Sequence, residues 1–179
     1  MENCNIEVEV RSFVTDDQYK NLLSRLNINA ELIKETNEET IYFSGGKDLR
    51  LRKDENSAYI ILKKGKLHDN HREEFEIRIN IEDFENTQKL FESLGCEIEI
   101  KWLRKRLEFK QDDVKVLLDD TKGYGKIIEI EKMVPPGEED ETYTKLTKRL
   151  SKLVDKISTK KEFDYAFEYY KKNWKTLIK

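Results

Sequence analysis

Cysteine is nearly absent from the chain, and the two present, Cys4 and Cys96, are too few for a disulfide scaffold and lack zinc-ligand spacing. They read as reduced thiols of an intracellular protein. Two prolines and seven glycines leave few places to break the chain and exclude collagen-like or low-complexity character. No run approaches the roughly 18 apolar residues of a membrane-spanning helix. Met1-Glu2-Asn3-Cys4-Asn5 has neither the basic flank nor the apolar stretch of a secretory signal, so a cytoplasmic location and no membrane partner are expected. Neither sign of charge dominates. Thirty-four Lys and Arg stand against 37 Asp and Glu, for a net charge of −3. That balance argues against a basic nucleic-acid binder and against an acidic disordered tail. The two histidines, His68 and His71, read as a hairpin tip rather than as a metal pair.

What the chain has is charge of both signs. Lys, Arg, Asp and Glu make up 40% of its 179 residues, against a usual figure of about 25%. With 37% hydrophobic and 10% aromatic residues there is still enough apolar material for one core, and one domain over 1–179 is expected. The question is where the charges sit.

Local pattern gives an order of elements. Ile6 to Arg11 alternates with period two and reads as a strand. Thr15 and Gln18 then have the spacing of a capping box, opening a helix with Tyr19, Leu22, Leu23 and Leu26 on its inner face. Strands are expected near 30–43, 48–53, 57–64 and 72–80, and again near 96–110, 113–120 and 126–134. A helix over 83–94 separates the two groups and stops at Gly95. Two helices close the chain, near 139–157 and 163–177. The second carries an aromatic stripe of Phe163, Phe167, Tyr170 and Trp174, expected to pack on the outside of the sheet.

Residues two apart in a strand share a face. Glu7, Glu9 and Arg11 therefore lie together. So do Arg50 with Arg52; Arg72, Glu74, Glu76 and Arg78; Arg104, Arg106 and Glu108; and Glu129 with Glu131. On four of these strands the opposite positions are apolar, as in Val8 and Val10, Leu49 and Leu51, Phe75 and Ile77, or Ile128 and Ile130. One such strand is an ordinary wet face. Five of them, filled mostly with Arg and Glu, suit a lumen, and about eight strands are enough to close a barrel. An α+β fold is expected: an eight-stranded antiparallel closed β-barrel over about 5–134 with helices packed outside, the last two over about 139–178. In such a lumen, carboxylates at period two suit a hard divalent cation, and arginines suit phosphate oxygens.

The same residues resemble the CYTH family of triphosphate tunnel metalloenzymes, which includes class IV adenylyl cyclases, thiamine triphosphatases and inorganic triphosphatases. Its Glu-x-Glu-x-Lys strand is matched by Glu7-Val8-Glu9-Val10-Arg11, and its Leu-Arg-x-Arg strand by Leu49-Arg50-Leu51-Arg52. A Lys before Gly is met by Lys63-Lys64-Gly65, where parity leaves the choice open and Lys63 is preferred. Arg72 to Glu76 is similar to the Arg-x-Glu-x-Glu strand, and Arg104-Lys105-Arg106 to the Lys-x-Arg strand. Leu118-Asp119, Gly123-Tyr124-Gly125 and Glu129-Ile130-Glu131 resemble the closing pattern.

The resemblance implies one or two Mg²⁺ or Mn²⁺ ions held by Glu7, Glu9, Glu129 and Glu131. Arg11, Arg50, Arg52, Lys63, Arg72, Arg104 and Arg106 would grip a small-molecule triphosphate. Glu76 and Asp119 would serve a second metal or orient the attacking water, with Arg11 beside the reacting phosphate. The function implied is hydrolysis of inorganic or nucleoside triphosphates. The alternative is a class IV adenylyl cyclase making cyclic AMP and pyrophosphate, and a third reading is a non-catalytic polyphosphate-binding module, as a monomer or a homodimer. Two positions depart from the family pattern. Arg11 stands where the family has Lys and cannot give up a proton at working pH, which counts against a thiamine-triphosphatase-like route using that Lys with a tyrosine such as Tyr42. Ser44 follows Tyr42-Phe43 where an Asp is usual.

Overall fold

A computed structural model describes residues 6–64 and 74–179. The order is β1 (Ile6–Val14), α1 (Asp16–Asn29), β2 (Glu31–Phe43), β3 (Asp48–Lys53), β4 (Ala58–Lys63), β5 (Glu74–Ile79), a 3-10 turn (Ile81–Asp83), α2 (Phe84–Ser93), β6 (Ile98–Gln111), β7 (Val114–Thr121), β8 (Gly125–Val134), α3 (Glu139–Leu150) and α4 (Lys160–Leu177). All eight strands join one antiparallel sheet in the order β1-β8-β7-β6-β2-β3-β4-β5. The strand expected at 72–80 begins at Glu74 because 65–73 lie outside the described residues, and Cys4, His68, His71 and Arg72 fall there or in 1–5.

The sheet curls but does not close. Among the described residues β1 and β5 remain edges with no ladder between them. This corrects the expected closed barrel. Alternation decides which way each side chain points, whereas closure depends on strand tilt and stagger, which alternation does not encode.

The convex face is apolar and covered. Val8 and Val10 of β1, Leu107 and Phe109 of β6, Val116 and Leu118 of β7 and Ile128 and Ile130 of β8 pack against Tyr19, Leu22 and Leu26 of α1 and Leu146 and Leu150 of α3. Each such side chain fully removed from water stabilises the fold by roughly 1.5–3 kcal/mol. Phe84 and Phe91 of α2 cover Ile41, Phe43, Leu51 and Ala58 on the other half of that face. The expected capping box at α1 is present, with Thr15 Oγ1 accepting from the Gln18 amide and Gln18 Oε1 from the Thr15 amide.

The C-terminal part departs from expectation twice. First, α3 ends at Leu150 rather than near 157. Residues 151–159 form turns that pass the end of β1, where buried Ser12 Oγ accepts from the Ser158 amide at 2.9 Å and Ser158 Oγ accepts from the Phe13 amide. Second, α4 does not lie outside. Opened by a Thr159–Glu162 capping box, it crosses one end of the concave face. There Phe167, Tyr170 and Trp174 pack with Ile100, Tyr42, Trp102 and Tyr124, and Phe163 stacks on Phe13 at 4.4 Å between ring centres. Tyr170 donates to the Lys101 carbonyl at 2.9 Å, and Lys122 Nζ donates to the carbonyls of Ile178 and Lys179. The stripe is buried as predicted, but against the inner wall.

Gly123 makes this docking possible. Its φ is +75°, and a Cβ there would stand 2.5 Å from the Leu177 Cβ. Gly123→Ala is expected to cost about 1–3 kcal/mol through overpacking. Thermal unfolding would show it as a lower Tm, with altered emission from Trp102 and Trp174 as α4 shifts.

Candidate functional site

Curling brings one face of all eight strands around a single cavity of about 370 Å³. Every described residue assigned a role from sequence lines it: Glu7, Glu9 and Arg11 from β1, Arg50 and Arg52 from β3, Lys63 from β4, Glu76 from β5, Arg104 and Arg106 from β6, Asp119 from β7, and Glu129 and Glu131 from β8. Lys63 rather than Lys64 is the inward lysine, and Lys64 Nζ lies over the Phe75 ring. Arg72 falls outside the described residues.

The cavity has two electrostatic regions. In the first, β1 and β8 pair so that Glu9 lies directly opposite Glu131 and Arg11 opposite Glu129. Like charges facing each other across a ladder are destabilising. Burial, assisted by Glu131, Glu129 and Glu74 and opposed by Lys63, pushes the Glu7 carboxyl above its ordinary range. Burial and the neighbouring Glu129 push Glu9 further, to about 7, against the pull of Arg11 and Lys63. Cations also reach this corner, with Arg11 at 3.4 Å from Glu9, Lys115 at 2.9 Å from Glu131 and Lys63 acting on both Glu7 and Glu9, yet burial keeps the Glu7 and Glu9 carboxyls raised.

The second region is a wall of guanidinium groups braced from behind. Asp119, 3% exposed, accepts from Arg106 Nε and Nη2 at 2.7 Å each and from Arg104 Nη1 at 3.1 Å. Glu38 accepts from Arg104 Nε and Nη2. Burial works to raise both carboxyls, but Arg104 and Arg106 outweigh it and hold Asp119 and Glu38 below the carboxylate range. Arg50 is held in a two-point pair by Asp48 at 2.6 Å and lies over the Tyr42 ring. Towards β5 the pairs are more open. Arg52 meets Glu76 at 2.8 Å, and Lys63 meets Glu74 at 2.7 Å.

These contacts separate the acids by what they can do. The carboxylate of Asp119 is occupied on both oxygens by arginine donors, so it fixes the orientation of the Arg104 and Arg106 guanidinium groups. Among the described residues Glu76 meets one guanidinium, that of Arg52, and its side chain is 40% exposed. Among the described residues no three acidic, histidine or cysteine side chains form a ready-made metal cage. The donor set nevertheless fits a hard divalent ion. It offers only carboxylate oxygens, brought side by side by the pairing of β1 with β8, and Mg²⁺ prefers one or two carboxylates completed by substrate phosphates and water.

Glu38 was missed from sequence. Lys34 to Glu39 is polar on both faces, and the signal lies further along, where outward Ile41 and Phe43 place Tyr42, Thr40, Glu38 and Thr36 inward. Trp102 was not singled out and Tyr124 was named only within the Gly123-Tyr124-Gly125 turn, yet both form the aromatic end of the cavity with Phe163 and Phe167 of α4. Among the described residues Trp102 Nε1–H is buried without a hydrogen-bond partner.

Comparison with known proteins gives a consistent set of likenesses. A family model described as CYTH domain matches residues 5–162. A Methanocaldococcus jannaschii protein named as a candidate adenylate cyclase is 30% identical over 138 residues, covering 72% of this chain and 78% of that protein. A solved structure of a conserved hypothetical protein from Pyrococcus furiosus is 27% identical, with a TM-score of 0.66 over 81% of this chain and 90% of the other. A Hippeastrum protein, described as a candidate adenylyl cyclase with a dominant triphosphatase activity, shares the fold at 17% identity, with a TM-score of 0.61 over 83% and 87% of the two chains. No helix among the described residues is long and apolar enough to cross a membrane.

Proposed function

The chain belongs to the CYTH domain family, and from that premise we propose that it is a metal-dependent triphosphatase, hydrolysing inorganic triphosphate or nucleoside triphosphates in the charged cavity of its half-barrel. The observation that carries the reading is the division of one 370 Å³ cavity into a crowded carboxylate corner and a braced guanidinium wall. Phosphoryl transfer needs chiefly positioning and neutralisation of phosphate charge, and these two regions supply both.

Glu7, Glu9, Glu129 and Glu131 would hold the Mg²⁺ or Mn²⁺, and a bound ion of this kind neutralises phosphate charge and polarises the bond to be broken. Arg104 and Arg106, fixed by Glu38 and Asp119, present donors to phosphate oxygens without having to be reoriented, and the absence of reorganisation is itself catalytic. Arg52 and Lys63 exchange their carboxylates for phosphate as substrate enters, which frees Glu76 beside the reacting group. Glu76 then orients the attacking water. Arg11, permanently charged and lying over the Phe163 ring, serves as a phosphate donor and not as a base.

One observation favours a second reading. The M. jannaschii relative carries a cyclase name, and a fold shared between cyclases and triphosphatases does not by itself choose the reaction. In the cyclase the ribose 3′-hydroxyl takes the place of water. Incubating the chain with Mg²⁺ or Mn²⁺ and either inorganic triphosphate or ATP, and identifying the products, separates the two. Orthophosphate without cyclic AMP is the expected result. Cyclic AMP with pyrophosphate would establish the cyclase, and tight binding without turnover of either substrate would leave a polyphosphate-binding module.

A further inference from the structure

Strand β5 is an edge of unusual make-up. Among the described residues its only ladder is with β4, and that ladder runs without a bulge from Lys63↔Glu74 to Ala58↔Ile79. Residues 75–78 are all exposed, with Phe75 at 46% and Ile77 at 60%. Natural sheets blunt such edges with lysine, proline or a bulge, because a flat row of unpaired amides and carbonyls is a template for another strand. Glu74-Phe75-Glu76-Ile77-Arg78-Ile79 has no lysine, proline or bulge, and its only such device is the row of charges on the concave face, Glu74, Glu76 and Arg78.

The strand is also complementary to itself. Turned antiparallel about a two-fold axis at Ile77, it places Ile77 opposite Ile77, Phe75 opposite Ile79 and Glu76 opposite Arg78 of the second copy. The apolar pairs then fall on the convex face and the opposite charges on the concave face. Centring the axis on Glu76 sets two like charges against each other. A slip of one residue sets apolar against charged positions and mismatches the faces. In the chain without substrate Glu76 accepts from Arg52 and Arg78 donates to Ser57, so the pairing adds to existing contacts.

A six-residue strand pair is small beside the roughly 1,200–2,000 Å² of a stable interface. The same side of the molecule supplies more. Helix α2, which packs over Ile60 and Ile79, carries Leu90 at 56% exposure and is capped by Leu94 at 70%.

We propose that the chain forms a two-fold dimer by antiparallel pairing of β5 with β5 of a second copy, in the register centred on Ile77 and with α2 contributing the flanking apolar surface. The test is sedimentation equilibrium of the full chain. A species of twice 21.4 kDa is expected. Ile77→Lys should yield monomer with an unchanged circular dichroism spectrum. Glu76→Arg and Arg78→Glu should each weaken association at least ~10-fold, and the double swap should restore it, because each charge then meets its complement in the second copy. The swap series reads the register even if Ile77→Lys folds poorly. A wild-type chain that stays monomeric at about 50 µM, a dimer untouched by Ile77→Lys, or a double swap no tighter than its single variants would overturn the proposal.

Discussion

Glu9→Gln is expected to abolish triphosphate turnover while making the folded chain more stable at neutral pH. The two effects have one origin. Glu9 lies directly opposite Glu131, and burial with the charge of Glu129 raises its carboxyl to about 7. An acid whose folded pKa exceeds its unfolded one holds its proton more tightly when folded. Its favourable contribution is complete below about pH 4.5 and is lost as the pH rises through 7. Above that, keeping the charge costs on the order of 3 kcal/mol, which the amide avoids. Urea unfolding at pH 8 should therefore favour Glu9→Gln, with the difference shrinking towards pH 5. Activity should fall by roughly 10²–10³-fold or more, the scale of losing one preorganised charge-stabilising group. Mg²⁺ or Mn²⁺ should raise the Tm of the wild-type chain far more than that of the variant. A variant that is less stable at pH 8, or that turns over normally, would contradict the assignment of this corner.

Asp119→Ala should fail in the opposite way. Asp119 is 3% exposed and holds both Arg104 and Arg106, so its removal leaves the half-buried Arg106 guanidinium without its carboxylate and Arg104 with Glu38 alone. Breaking a buried pair from one side costs about 3–5 kcal/mol. The sign of the pH dependence is also reversed. The folded pKa of Asp119 lies below 3.8, so its stabilisation is present above that value and disappears as the pH falls through the folded one. Asp119→Asn should retain more stability than Asp119→Ala, and both should flatten the acid limb of the wild-type profile. For catalysis the loss should appear chiefly as a raised KM for triphosphate, since Asp119 acts by orienting the arginines. A large fall in kcat at unchanged KM would instead place Asp119 at the reacting water.

The sequence carried the wall of the site more clearly than the shape of the enclosure. Glu7, Glu9, Glu129 and Glu131 stand on strands whose other face is apolar beside them, so parity aims them inward, and for Arg104 and Arg106 the signal is Leu103, Leu107 and Phe109 on a face that also carries Lys105. Glu38 was hidden because the first part of β2 is polar on both sides, and the register is set by Ile41 and Phe43 several residues on. The open seam between β1 and β5 lay beyond reach, since it depends on how far eight strands tilt and stagger. Helix α4 shows the same limit. Its stripe at helical spacing announced burial but not the surface that buries it, which is fixed by the turns at 151–159 and by Ser12 meeting Ser158. Its start was readable all along in Thr159 and Glu162.

Phosphorus-31 NMR of inorganic triphosphate incubated with the chain and Mg²⁺ or Mn²⁺ tests the central claim most directly. Pyrophosphate and orthophosphate should appear together with the wild-type chain, stop on addition of a chelator, and be absent with Glu9→Gln. Triphosphate left intact, or consumed equally by the variant or in the presence of chelator, would contradict a metal-assisted hydrolysis in this cavity.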